Sequence, residues 1–402
     1  MKRSSERILV SHAGTVPRPD DLREMLAAGP AGEADFNRRL PSAVAEVVRR
    51  QVECGIDIVN DGEMSKRGGF SRYAIDRLGG LEQRDFKPGD GPAPHNITGR
   101  DQRDFPGFHE QVGAFGRLGA RNAATGVARR ASPNEPVFCT GPLTYIGHDA
   151  AWVDIENFKA ALHGVTVEGA FLPAIAPGTI EHWLWNEHYP NHEVFLFAIA
   201  DAMREEYKAI TDAGFILQID DPDLPDGWQM YPEMTVPEYR RYAELRVEAL
   251  NHALRDCPRE QVRLHICWGS GHGPHKHDIP LRDIVDVVLK VRAECYSIEA
   301  SNPRHDHEYH VWEEVKLPEG TMLMPGVIGH ATDIIEHPEL VAERLVRYAE
   351  LVGRENVIAG TDCGVGSRVS HPEIAWAKFE AMAEGARLAT RQLWGAAVAS
   401  AG

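Results

Sequence analysis

Cysteine is scarce in this chain: six residues in 402, at Cys54, Cys139, Cys257, Cys267, Cys295 and Cys363, too few and too dispersed for a disulfide framework. A reducing compartment would keep them as thiols, available to a metal. Long apolar runs are also lacking, so nothing in the sequence is built to cross a bilayer as a helix. The start, Met1 to Val10, has basic residues but no signal-peptide apolar core or cleavage site, and the expectation is a cytoplasmic protein. Positive charge is in deficit as well. A net charge of -17, with no Lys/Arg stripe and interleaved aromatics, argues against nucleic-acid binding driven by counterion release. There is no internal repeat of useful length and no low-complexity tract. What remains is an ordinary globular composition, 43% hydrophobic and 26% charged, on a chain long enough for one large α/β barrel or two modest domains.

Short β-rich runs alternate with longer stretches of helical periodicity. Eight such runs occur, at Ile8–Ser11, Asp57–Asn60, Val137–Thr140, Ile216–Asp220, Val262–Cys267, Tyr296–Glu299, Met322–Pro325 and Val357–Gly360. Eight strand–helix units predict a (β/α)8 TIM barrel, a single domain over residues 1–402, with its active site at the C-terminal ends of the strands. Helices are expected over Leu40–Cys54, Glu193–Ala213, Pro237–Asp256, Asp283–Ala293, Pro338–Leu351 and Pro372–Trp394. Two stretches break the rhythm and read as insertions: Leu81–Arg103, rich in Pro, Gly and charge, and Phe171–Asn191, with prolines and the aromatic run from His182 to Tyr189. The second is expected to form a lid or pocket wall, or else a helix covering the barrel.

Chemistry gathers where the strand-like runs end. His265 and Cys267 are two residues apart, so on a strand their side chains point to one face. Glu299 ends another run and Cys363 follows a third, completing a His, Cys, Glu, Cys set. Thiolates with one imidazole and one exchangeable carboxylate favour zinc over magnesium or calcium. Taken singly, each of these residues has an ordinary place in a core or an ion pair; their joint position at strand ends favours ligation. Gly269 to His277, with three histidines, is a weaker candidate for a second metal loop.

The ordered motifs Gly14-Thr-Val-Pro17, Asn60-Asp-Gly-Glu63, Thr140-Gly-Pro-Leu-Thr144, Gln218-Ile-Asp-Asp-Pro222, His265-Ile-Cys267, Ser297-Ile-Glu-Ala-Ser301, Gly326-Val-Ile-Gly-His330 and Thr361-Asp-Cys-Gly364 resemble the zinc-containing C-terminal barrel of cobalamin-independent methionine synthase and related thiol alkyltransferases. The resemblance implies that His265, Cys267, Glu299 and Cys363 hold Zn2+. It implies that Glu63 and Asp220 take the amino group of a thiol amino acid, that Thr15 lies near its carboxylate, and that His330 assists proton transfer on the donor side. Three departures stand out. This chain has length for one barrel where the synthase has two; the loop Asn302 to His310 has no counterpart there, nor does Phe171–Asn191. Methionine synthesis itself is therefore not taken as the default.

The expected activity is zinc-dependent transfer of a methyl or other alkyl group to a zinc-bound thiol. The alternatives are an epoxide-opening thiol transferase of the epoxyalkane:coenzyme M transferase type and a non-catalytic metal or methyl-carrier binding protein. Expected partners are a small-molecule thiol acceptor and an alkyl donor, either methyl-folate or a methyl-carrier protein, with no nucleic acid and no membrane; assembly as a homo-oligomer stays open.

Overall fold

The structure is a computed structural model describing residues 1–67, 70–87, 99–111, 136–269, 271, 273–366 and 368–395. Among the described residues the strands, in chain order, are β1 (Leu9–Val10), β2 (Ile58–Asn60), β3 (Leu78–Gln83), β4 (Val137–Tyr145), β5 (Gly169–Ile175), β6 (Leu184–Asn186), β7 (Ile216–Asp220), β8 (Val262–Ile266), β9 (Cys295–Ile298), β10 (Met322–Ile328) and β11 (Ile358–Thr361). Eight form one parallel sheet in the order β1-β11-β10-β9-β8-β7-β5-β2. The ends of that order meet. The Asp57 amide donates to the Val10 carbonyl at 2.9 Å, and the Ser11 hydroxyl to the Ile58 carbonyl at 3.1 Å. The sheet is thus nearly closed into the expected (β/α)8 barrel.

Amphipathic helices cover it, among them Glu33–Glu53, His192–Asp212, Val236–Ala253, Leu281–Val288, Pro338–Val352 and Pro372–Trp394. Pro338 and Pro372 open their helices, where a missing N–H costs nothing. His337 and His371 cap them, each ring accepting from the amide two residues on at 3.2 Å. No helix among the described residues is long and apolar enough to cross a membrane.

The barrel interior joins an apolar cluster that includes Leu9, Phe171, Cys295, Met322 and Met324 to one buried cation. Arg263 donates to Gln218 Oε1 (2.8 Å), Ser11 Oγ (2.9 Å) and the His12 carbonyl (3.2 Å), with its guanidinium 4.1 Å from the Phe171 ring centre. Three polar partners and an aromatic face offset much of the desolvation of that charge.

The structure departs from the sequence reading at the third strand. Val137–Thr140 is not in the barrel; it lies in β4, which pairs antiparallel with β3 and parallel with β6 in a separate three-stranded sheet. The third barrel strand is β5, so the insertion read as Phe171–Asn191 starts inside a barrel strand. Pro173 is the reason. Proline in a central strand removes a ladder donor and reads as a breaker, yet here its carbonyl takes the Lys66 ammonium at 2.8 Å and its neighbours pair normally with β7. Only the later part, the helix Pro177–Glu181 and β6, leaves the barrel sheet. The other insertion, Leu81–Arg103, begins in β3 and reaches the short helix Gly99–Asp104; its stretch 88–98 lies outside the described residues.

Candidate metal and substrate site

Each candidate ligand is delivered by a strand end. β8 carries His265, with Cys267 one residue beyond it; β9 precedes Glu299 and β11 precedes Cys363. Ligand atoms of His265, Cys267 and Cys363 lie within 4.8 Å of one another. The two sulfurs are 3.8 Å apart. That is far beyond the roughly 2.05 Å of a disulfide, and it equals the spacing of two sulfurs each about 2.3 Å from a tetrahedral zinc. His265 is oriented for the same purpose: Nδ1 pairs with Ser297 Oγ at 2.9 Å, and Nε2 is buried without a hydrogen-bond partner. An imidazole fixed through one nitrogen with the other left over is the usual state of a metal-ligating histidine. The donor set fits zinc. Cys267 donates to Cys363, and that bond pushes the Cys363 thiol well below its ordinary range while raising Cys267.

Glu299 stands beside this trio rather than within it, forming a second group with His330 and Asp362. Its Oε2 accepts from the Trp268 amide at 2.9 Å and its Oε1 from Asn302 Nδ2 at 2.5 Å. Burial, then repulsion from Asp362, pushes its carboxyl up to about 8. A divalent cation nearby would reverse that shift. Asp362 accepts from the amides of Ala300 and Ser301 and from Ser301 Oγ at 2.7–2.8 Å. It is a clamp between the ends of β9 and β11. His330, 2% exposed, has no hydrogen-bond partner at either ring nitrogen, and burial lowers its pKa.

The residues expected to hold an acceptor thiol follow β1 and β2 and end β7, where Asp220 is the register partner of His265. Thr15 Oγ1 donates to Glu63 Oε1 at 2.9 Å. Glu63 has a positive φ of 58°, a strained setting for a residue with a side chain. The strain is held by the Asp61 carboxylate, which accepts the Glu63 amide at 2.9 Å, and by Arg18, which donates to the carbonyls of Glu63 and Lys66 at 2.8 Å. Gly14 must lack a side chain, since a Cβ there would sit 2.7 Å from Glu63 Oε1. Asp220 accepts from Gln218 Nε2 at 2.7 Å, and its carboxyl is pushed up to about 7 by burial and by Glu63, against His265 and Lys66.

Sequence reasoning missed Lys66. Its ammonium lies 3.7 Å from Glu63 Oε2 and 4.2 Å from the Tyr73 ring centre. A signal was present, a lysine three residues after the acid, but only the turn at Glu63 brings the two side chains together. Asp362 stands in the Thr361–Gly364 motif and Asn302 opens the unmatched loop, and neither had a role assigned from the sequence. The candidate second metal loop, Gly269 to His277, forms no further group of metal-ligating side chains among the described residues; His275 pairs with Asp278 at 2.9 Å, and His272 lies outside them.

Asp61 supplies a pH prediction. Burial, then Asp154, pushes its carboxyl up to about 7. An acid whose folded pKa exceeds its unfolded value, about 4, contributes stability that is complete below the unfolded value and lost as pH rises through the folded one. Asp61→Asn keeps an oxygen for the Glu63 amide. It is expected to flatten the fall in thermal midpoint between about pH 5 and 7.5; parallel profiles for parent and variant would discount Asp61.

A family model described as the catalytic domain of cobalamin-independent synthase matches residues 173–387. The methionine synthase of Thermococcus kodakarensis is 22% identical over 385 residues, covering 94% of this chain and 93% of that protein. The methionine synthase of Saccharolobus solfataricus is 23% identical over 387 residues, covering 94% of each. Among solved structures, a B12-independent methionine synthase from Shewanella sp. W3-18-1, in complex with selenomethionine, superposes with a TM-score of 0.69 at 20% identity, over 97% of this chain and 100% of that one. A methyltransferase from Methanosarcina mazei gives 0.53 at 14% identity, over 97% and 95%. These structural likenesses speak to the fold.

Proposed function

This chain belongs to the cobalamin-independent synthase catalytic-domain family, a family of methyltransferases, and from that premise we propose that it transfers a methyl group to a small thiol at a zinc site made by His265, Cys267, Cys363 and Glu299. The observation that carries the reading is the His265–Cys267–Cys363 trio with sulfurs at tetrahedral spacing. Zinc bound there would keep the acceptor sulfur in its nucleophilic thiolate form at neutral pH. Ser297 fixes the His265 ring and Asp362 fixes the backbone that follows Glu299. Thr15, Glu63 and Asp220 hold the rest of the acceptor, and buried walls keep water from competing for the methyl group. The donor's leaving atom needs a proton as its bond to carbon breaks. His330 is the group we assign to that transfer, since it lies in one group with Glu299 and neither of its buried ring nitrogens has a hydrogen-bond partner. We take residues 1–402 as one barrel domain, with the β3–β4–β6 sheet as its insertion.

Two relatives named methionine synthase are matched over nearly their full length. One barrel is therefore no argument against that activity. Lys66 favours a second acceptor class. Glu63 already has a cation 3.7 Å away, so an amine-free thiol would leave that pair intact. Methyl-transfer assays with homocysteine and with 3-mercaptopropionate decide between them, with a methylated product of neither, across methyl donors including methyl-folate, overturning the reading. With an aminothiol, Glu63→Gln is expected to raise KM about tenfold or more at unchanged zinc content, the cost of one charge-assisted contact. Equal loss of zinc and of affinity would make Glu63 a part of the fold.

A further inference from the structure

The loop Asn302 to His310, which the family resemblance does not explain, is built against Glu299. Asn302 Oδ1 accepts from the amides of Arg304 (2.9 Å) and His305 (3.2 Å), a turn that leaves Nδ2 directed at the Glu299 carboxylate. Trp268, whose amide holds the other Glu299 oxygen, is fixed from the same loop. Its indole stacks on the His305 ring with centres 4.0 Å apart and donates to the Ile279 carbonyl at 2.8 Å. His305 is itself held between Asp278 Oδ2 (3.1 Å) and Glu308 Oε2 (2.9 Å). One buried histidine therefore ties down both donors to Glu299. Both carboxylate oxygens are engaged outside the trio, by donors that the loop holds in place without the metal.

We propose that Asn302 is a positioning residue that receives the Glu299 carboxylate when an acceptor thiol takes its place at the metal, a step that rests on the zinc reading above. In that exchange a thiolate replaces a carboxylate and the thiol's proton leaves to the medium, so charge at the metal is conserved. A buried carboxylate released from a cation is costly unless donors await it. Asn302 Nδ2 and the Trp268 amide are those donors, already in place.

The test uses the full chain loaded with Co2+, whose absorption reports its ligands, in the parent, in Asn302→Asp and in Asn302→Ala. Asn302→Asp keeps an oxygen for the two turn amides, so the turn is retained, and puts a second negative charge where the donor to Glu299 stood. Homocysteine and 3-mercaptopropionate are the probes, titrated by the sulfur-to-cobalt band. Cobalt affinity without thiol is expected to hold or tighten in both variants, while thiol affinity falls about tenfold or more. Thiol affinity equal to that of the parent, or loss of cobalt itself from a folded Asn302→Asp, overturns the proposal. A parent whose cobalt spectrum ignores both thiols instead removes the zinc–thiol reading, a failure visible before any variant is made.

Discussion

Cys363→Ser is expected to strip zinc from the protein while leaving the barrel folded. The purified parent, dialysed exhaustively and measured by elemental analysis, should hold near one zinc per chain, and the variant only a small fraction of that. The physical ground is the donor set. A serine hydroxyl stays protonated at neutral pH and is a poor ligand for zinc, so the trio would keep one soft anion instead of two. Cys363 also lies against both other members of the trio, Cys267 and His265, so its loss touches every contact in the set. Folding should survive because the residue is only half-buried and exchanges sulfur for a smaller oxygen. Cys295→Ser is the control: equally a cysteine, fully buried in the apolar interior and outside the trio, it should cost stability and keep zinc. A folded parent that takes up no zinc even when offered it would falsify the metal reading and return Cys267 and Cys363 to the core.

The trio was legible in the sequence because its geometry is local. Two residues apart on a strand means one face, and strand ends of a barrel converge on one mouth, so His265, Cys267 and Cys363 meet whatever the loops do. Glu299 was read into the same set, yet its distance from the trio depends on Asn302 and the Trp268 amide, contacts that no spacing rule gives. Seven of the eight strand runs were legible for the same local reason. The third was not, because its Pro173 mimics a breaker while Val137–Thr140 is a short apolar run that belongs to a real strand in another sheet. Arg263 and Lys66 were illegible as well. Each is a charged residue that sequence reasoning sends to the surface, and each is buried because the fold closes partners around it: Gln218 and Ser11 for one, the distant Pro173 carbonyl together with nearby Glu63 and Tyr73 for the other.

Asp362→Ala is expected to be among the most destabilising single changes in the barrel. The carboxylate is wholly buried and accepts three hydrogen bonds, two from backbone amides that have nowhere else to go. Leaving those donors unpaired in the interior costs on the order of 3–5 kcal/mol. The surroundings are shaped to this one side chain: a Cβ on Gly326 would lie 2.1 Å from its Oδ1, so β10 carries glycine where the carboxylate passes. Asp362→Asn separates shape from charge. Its oxygen can face the two amides, and the Ser301 hydroxyl can turn to accept from its amide nitrogen, so the expected cost is smaller, about 1 kcal/mol. Urea midpoints of the metal-free proteins measure this directly, with Asp362→Ala far below the parent and Asp362→Asn close to it. The same pair should separate at the metal. Asp362 is the largest charge raising the Glu299 pKa, so removing its charge in Asp362→Asn lets Glu299 ionise at lower pH, and the loss of zinc on acidification should move to lower pH with it. If both variants unfold at the parent's midpoint, Asp362 does not clamp β9 to β11, and the placing of Glu299 must be sought in Asn302 and the Trp268 amide alone.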